Sequence, residues 1–333
     1  MFGRPPTRLP LPVAFLLVPQ FSMMSFASAV EPLRSANRMS GRTLYSWQIL
    51  SPDGQPVSAS NGIVIVPAGG IAEAARSAML VVCAGTGGHR FADAAVFGWL
   101  RRLDRLGLVI GGVSLGSYLL ARAGLLAGCR STVHWENHAA FAEELPDLEV
   151  TNELFEIDRN RFTCSGGIAA LDLMLDLIAR QHGGELAKAV SEQFIQERIR
   201  DRHDRQRMAL PARLGIRHPK LLAVIRRMED STDEPISQAK LATAVGLSSR
   251  QLERLFRKYL NRSPARYYVE LRLNRARLLL LQTNMPVIDV ALACGFVSAS
   301  HFSKCYRDFF GKTPRRERTV PLRPPLTKDQ AAA

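Results

Sequence analysis

No stretch of this chain approaches the ~20 apolar residues of a membrane-spanning helix. Cysteine is sparse as well: Cys83, Cys129, Cys164, Cys294 and Cys305 make an odd set with no CxxC pair. That excludes the common zinc-ribbon and redox-pair spacings and fits buried thiols in a reducing compartment, with neither metal nor cofactor. No low-complexity block dominates, and with 47% hydrophobic residues the chain is long enough for two domains with real cores. Tryptophan is confined to Trp47, Trp99 and Trp135. Acidic residues are short in one half only. Residues 1–195 carry 16 Lys/Arg against 17 Asp/Glu, whereas residues 196–333 carry 28 against 13. A neutral half joined to a basic half implies that the second half meets a polyanion.

What is present in that basic half is a repeat. LATAVGLSSRQLERLFRKYLNRSPAR, Leu241 to Arg266, is echoed by VALACGFVSASHFSKCYRDFFGKTPRR, Val290 to Arg316. Leu252 matches Phe302, Phe256 matches Tyr306, Arg257 matches Arg307 and Leu260 matches Phe310, at an offset of 50 after the turn and 49 before it. The second turn therefore holds one extra residue. Each copy reads as a short helix, a glycine turn (Gly246, Gly295), an N-cap serine (Ser248, Ser298) and a longer helix, which is a helix-turn-helix. Leu252, Leu255, Phe256 and Tyr259 are expected to face the core, as are Phe302, Cys305, Tyr306 and Phe309. Outward near the helix starts stand Ser249, Arg250, Gln251 and Arg254, and in the second copy Ala299, Ser300, His301 and Lys304. Side chains at the start of a recognition helix reach base edges, where Arg suits guanine and Gln suits adenine. Arg257, Lys258, Arg262, Arg307, Lys312 and Arg315 are expected at phosphates or in solvent.

This half, residues 216–318, resembles the AraC/XylS family of transcription regulators, including the joining segment RLNRARLLL within a helix expected over Pro264–Gln282. The resemblance implies one monomer placing two recognition helices in successive major grooves, ~34 Å apart. The partners it implies are double-stranded operator DNA, RNA polymerase, a small-molecule effector and a second copy of the chain. A chain with DNA-binding helices belongs in the cytoplasm. Arg4, Arg8 and the run Val13–Val18 ahead of Ala27-Ser28-Ala29 imitate a signal peptide, but the run is short and reads better as a buried first strand.

Residues 1–12 read as a flexible lead. Beyond them, strands are expected at Val13–Val18, Tyr45–Ser51, Gly62–Val66, Met79–Ala84, Leu108–Val113 and Arg161–Cys164. They alternate with helices at Phe26–Ser40, Ala92–Leu106, Leu115–Leu126, His138–Glu144 and Ile168–His182. This alternation predicts an α/β domain of flavodoxin-like kind, a mostly parallel sheet between helices, over residues 13–185. A connecting helix is expected at Glu185–Arg202 within a linker, 186–215, with Ala187, Val190, Phe194 and Ile195 on one face. The all-α second domain follows, and residues 319–333 read as a disordered tail.

Gly112-Val113-Ser114-Leu115-Gly116 is a GxSxG between an expected strand and an expected helix, the signature of a nucleophile elbow, and His134 follows. A Ser-His hydrolase or amidase with an accessory DNA-binding domain is therefore one alternative. A nucleoid-type DNA binder is another. The wider text IGGVSLGSYLLARAGLLAGCRSTVHWEN resembles the PfpI-like, class I glutamine-amidotransferase-like domain found fused to AraC-type DNA-binding domains. The enzymes of that superfamily carry Cys at the elbow. Ser114 holds the place here, and a hydroxyl does not ionise near neutral pH as a thiol does. The loop Gln20-Phe21-Ser22-Met23 also lacks the carboxylate that some members place after the first strand. Both departures argue against catalysis. They leave a pocket built from the Ser114 and Leu115 amides, His134, the loop at Gly85, and an aromatic such as Trp99 or Trp135. The segment SFASAVEPLRSANRMSGRTLYSWQILSPDGQPVSASNGI is similar to the branch sensing glycine betaine, carnitine or arginine. That implies an activator of a catabolic operon, responding to a small nitrogen-containing carboxylate.

Overall fold

The computed structural model describes residues 2–74 and 77–318. They divide into two compact units, one running to Gln206 and the other beginning at Arg207. In the first unit, seven strands form one sheet: β1 (Leu11–Leu17), β2 (Tyr45–Ser51), β3 (Gly69–Gly70), β4 (Met79–Ala84), β5 (Val109–Ser114), β6 (Phe155–Asp158) and β7 (Arg161–Cys164). Their order is β6-β7-β5-β4-β1-β2-β3. Every pairing is parallel except β6 with β7. The helices are α1 (Met23–Ser40), α2 (Ala94–Arg105), α3 (Gly116–Arg122), α4 (His138–Glu144), α5 (Ala169–His182) and α6 (Gly184–Gln193).

Alternation along the strands sorts side chains between two cores. Val13, Phe15 and Leu17 join α1 and α5 residues such as Leu33 and Leu177. Ala14 and Leu16 join Val96 and Leu100 of α2 and Leu119 and Leu120 of α3. A strand covered on both faces has no polar side, so β4, MLVVCA, is buried at all six positions. The apolar run that imitated a leader is thus a central strand, paired with β2 and β4.

Several expectations shift. The lead is tied down: β1 starts at Leu11, Arg4 O accepts a bond from Gln181 Nε2 at 3.1 Å, and Phe2 is buried against the Phe162 ring at 4.9 Å. Val64–Ile65 pairs only with Val57–Ser58, outside the main sheet. The helix after the elbow stops at Arg122, since turns follow at Gly124 and Gly128, both at positive φ. The connecting helix stops at Gln193, because Ile195 takes φ 56 and stands 94% exposed. The expected tail lies outside the described residues.

The second unit is helical: α7 (Leu210–Leu214), α8 (Pro219–Asp230), α9 (Gln238–Thr243), α10 (Ser249–Leu260), α11 (Pro264–Gln282), α12 (Val287–Ala293), α13 (Ala299–Phe310) and α14 (Pro314–Arg318). Leu241, Leu252 and Phe256 pack with Leu221 and Ile225 of α8 and Tyr267 of α11. In the second repeat Val290, Phe296, Phe302 and Tyr306 are buried, as are Leu273, Ala276 and Leu280 of α11. Residues 251–260 and 301–310 run through the same order of buried, half-buried and exposed positions. That order corrects the stripe in both copies alike. Leu255 and Cys305 are half-buried, and Tyr259 and Phe309 are 39% and 40% exposed.

Candidate nucleic-acid interface and effector site

Each recognition helix is set by its turn. Gly246 and Gly295 take φ 63 and 71, which a side chain would resist. Leu247 N then bonds Ala242 O at 3.0 Å, and Phe296 N bonds Ala291 O at 2.9 Å. These matching bonds make Val297 the extra residue of the second turn. Ser248 Oγ accepts from Gln251 N at 3.2 Å and Ser298 Oγ from His301 N at 3.3 Å, so α10 and α13 both start on a serine cap.

Beyond the caps the two helices diverge. Arg250 and Arg254 are exposed, and neither forms an ion pair among the described residues. Ser249, Ser300, His301 and Lys304 are exposed as well, while Ala299 is half-buried. Gln251, expected as an adenine reader, instead closes a capping box: its Oε1 accepts from Ser248 N at 2.8 Å. A bidentate adenine contact needs that oxygen. His301 Nε2 lies 3.4 Å from Cys305 Sγ, one turn along its own helix. Of the expected phosphate contacts, Arg257 is paired with Glu253 at 3.1 Å, Arg262 with Glu270, and Lys312 with buried Glu317 at 3.0 Å. Arg307, Arg315 and Lys258 are exposed.

In the α/β unit the elbow has its characteristic geometry. Ser114 ends β5 with φ 57, a left-handed conformation uncommon for a residue with a side chain. The glycines beside it are packing requirements. A Cβ on Gly112 would lie 2.5 Å from Gly116 C, and one on Gly116 would lie 2.2 Å from Val82 O. Against Ser114 sits Gly166, whose Cβ would come within 2.7 Å of the serine Cβ and 3.0 Å of Ser25 Oγ. Ser25 in turn accepts from Gly167 N at 2.8 Å and donates to Ser22 Oγ at 3.0 Å. No carboxylate belongs to this set, and a serine caps α1 where an acidic residue was found missing.

His134 follows the short strand Arg130–Thr132. Its Nδ1 accepts from Glu136 N at 3.4 Å and lies 3.8 Å from the Glu136 carboxylate. Burial pulls the imidazole below the ordinary histidine value, against a smaller upward pull from Glu136. No hydrogen bond joins His134 to Ser114 among the described residues. The Trp135 ring, half-buried, lies 5.6 Å from that of His134. Gly85 is buried and bridges Phe21, and a Cβ there would meet Gln20 O at 2.3 Å. Leu115 is 5% exposed at the start of a helix of only seven residues. Trp99, also 5% exposed, belongs to the core beneath α2 and offers no ring face to a ligand.

Two features here had no sequence signal. Asp172, fully buried, takes bonds from Gln196 Nε2 at 2.8 Å, Arg200 N at 2.8 Å and Arg200 Nη2 at 2.6 Å. Gln206, last residue of the first unit, donates to Val133 O at 3.1 Å and Glu153 O at 2.8 Å, beside His134.

A family model described as the DJ-1/PfpI family matches residues 12–180, and one described as a helix-turn-helix domain matches residues 241–319. The chain is 51% identical over 317 residues to the HTH-type transcriptional regulator GbdR of Pseudomonas aeruginosa, covering 95% of this chain and 86% of that protein. It is 50% identical over 319 residues to the regulator CdhR of the same species, covering 96% and 95%. A crystal structure of an AraC family transcriptional regulator from Pseudomonas putida matches 56% of this chain and 100% of its own, with TM-score 0.51 and 31% identity. The chain therefore belongs to the AraC-type DNA-binding transcriptional regulators that carry a DJ-1/PfpI domain ahead of the helix-turn-helix domain, and its α/β unit is regulatory rather than enzymatic.

Proposed function

We propose that this regulator works in the cytoplasm as an effector-controlled activator of a catabolic operon. One observation carries the DNA-reading half of this proposal. Two capped helices of matching burial present uncommitted cations near their starts, Arg250 and Arg254 on one and Lys304 on the other. Ser249, Ala299, Ser300 and His301 complete the base-facing sets, with Gln251 contributing through Nε2 alone. RNA polymerase is the further partner, and a second copy of the chain joins through the α/β unit. Lys and Arg displace condensed counterions, so affinity falls steeply with salt. Salt-independent binding of the full chain to DNA selected from a random pool would overturn this half.

The effector is a small nitrogen-containing carboxylate: glycine betaine, carnitine or an arginine-like molecule. It sits at the C-terminal ends of the parallel strands, where open α/β sheets bind ligands. Ser114, Leu115, Gly85 and His134 form the polar side, and the Trp135 face meets the cationic nitrogen. A ligand that binds only the folded state raises its melting midpoint. All three tryptophans lie in this unit, so their fluorescence reports its melting selectively. The midpoint should rise with betaine, carnitine or arginine and rise less in His134→Ala and Trp135→Ala. No shift with any of the three rejects the ligand class, and unchanged shifts in both variants reject the location.

A further inference from the structure

Repeat two carries a residue that repeat one lacks. Val297 is 97% exposed, although valine is ordinarily a buried side chain. Its neighbours are fixed. Phe296 before it is 2% exposed, with Phe302 at 5.1 Å and the Arg272 guanidinium over its ring at 4.0 Å. Ser298 after it is the N-cap of α13. The two methyls are thus held on a stiff support immediately ahead of the recognition helix.

The chemistry around Val297 differs from that at the first helix. Where α10 begins Ser-Arg-Gln, α13 begins Ala-Ser-His, and its first cation is Lys304. In the major groove, thymine is marked by its C5 methyl, which is read by apolar contact. An α10 start with two arginines suits guanine, whereas an α13 start built from Val297 and Ala299 suits a methyl group.

We infer that Val297 is a specificity-determining residue of the second helix-turn-helix, reading a thymine C5 methyl. This rests on the reading that both recognition helices turn their starts to the bases. The test uses the full chain and DNA selected by it from a randomised pool. Each thymine of the second half-site is replaced in turn by deoxyuridine, which removes only the methyl. One such replacement should weaken the parent about threefold to fivefold, the worth of one methyl contact. Val297→Ser should start weaker by a similar factor and be indifferent to that replacement, while Val297→Thr, which keeps one methyl, falls between. An unchanged far-UV melting curve shows that the fold is intact. If no deoxyuridine position separates parent from Val297→Ser, the inference fails. If Arg254→Ala and Lys304→Ala also bind as the parent does, the underlying orientation fails instead.

Discussion

The two helix-turn-helix repeats share one geometry and stabilise it with different chemistry. Position for position, Phe256 and Tyr267 in the first correspond to Tyr306 and Glu317 in the second. The first pair is a ring contact at 5.6 Å, and the second is a hydrogen bond from Tyr306 Oη to the Glu317 carboxylate at 3.0 Å. Glu317 is 1% exposed and also engages Arg277 at 3.2 Å. Beside it the second repeat sets Phe302 edge-on to Tyr306 at 5.6 Å and Tyr306 at a tilt to Phe310 at 4.6 Å, where the first has Leu252, Phe256 and Leu260. A repeated fold thus fixes where side chains go without fixing how they are held. The copies are free to diverge both inside and at the DNA face.

The largest test truncates matched core positions. Leu252 and Phe302 are both fully buried. Leu252→Ala should cost about 2–5 kcal/mol and Phe302→Ala about 3–5 kcal/mol, with the second repeat losing more because a larger ring leaves a larger cavity. The second unit contains no tryptophan, so helix content by far-UV circular dichroism should fall before tryptophan fluorescence changes. Simultaneous loss of both signals would mean that the two units unfold as one.

At the DNA face, Arg254→Ala should cost about 1–3 kcal/mol of binding and relax specificity at one base. Lys304→Ala should likewise lose most at the base it faces in the second half-site, whereas a phosphate contact would weaken all sequences evenly. Binding to a set of single-base variants of selected DNA separates the two outcomes. An even loss for Arg254→Ala would erase the proposed division between a guanine-reading and a methyl-reading helix.

Acid should distinguish the repeats next. Burial pushes the Glu317 carboxyl up, but hydrogen bonds from Lys312, Tyr306 and Arg277 more than offset it and hold the group below its usual 4.5. A carboxyl depressed in the folded state contributes stability above its unfolded value, and that contribution is lost as pH falls through the folded value. Helix content of the parent should therefore drop below about pH 4.5, while Glu317→Gln, already about 1–3 kcal/mol weaker at neutral pH, should drop less. Parallel acid curves for the two would remove Glu317 as the cause.

Much of this was legible in the sequence, for identifiable reasons. Turn glycines, cap serines and a core stripe are local signals, so α10, α11 and α13 stand where the pattern puts them. Parallel strands read plainly because their burial on both faces makes continuous apolar runs. Partners distant in sequence were illegible. Nothing near Phe2 announces Phe162, nothing near Gln206 announces Val133, and the content of Trp99's sequence neighbourhood does not reveal which way its ring faces. The outward edge of the stripe misled for a related reason. Tyr259 and Phe309 keep the helical spacing but lie at the rim of the packed face, where cover is partial, as with the His218 ring 5.7 Å from that of Tyr259.

The smallest contrast concerns the caps, and Gln251 makes it informative. In the first repeat two bonds close the box, Gln251 N to Ser248 Oγ and Ser248 N to Gln251 Oε1. In the second only the serine half is formed, because His301 occupies the glutamine position. Losing a serine cap costs about 1 kcal/mol, so Ser248→Ala and Ser298→Ala should destabilise similarly. Gln251→Ala removes the returning bond from a solvent-exposed end, where water replaces it, and should cost well under 1 kcal/mol. It should soften base preference only slightly, because with the oxygen facing its own backbone the amide has only Nε2 left to offer a base. Thermal melting measures the first effect and binding to single-base variants the second. Loss of preference for one adenine in Gln251→Ala would mean that DNA opens the box. The first helix would then read adenine with both ends of the Gln251 amide rather than with Nε2 alone, and the asymmetry between the repeats would be larger than the free protein displays.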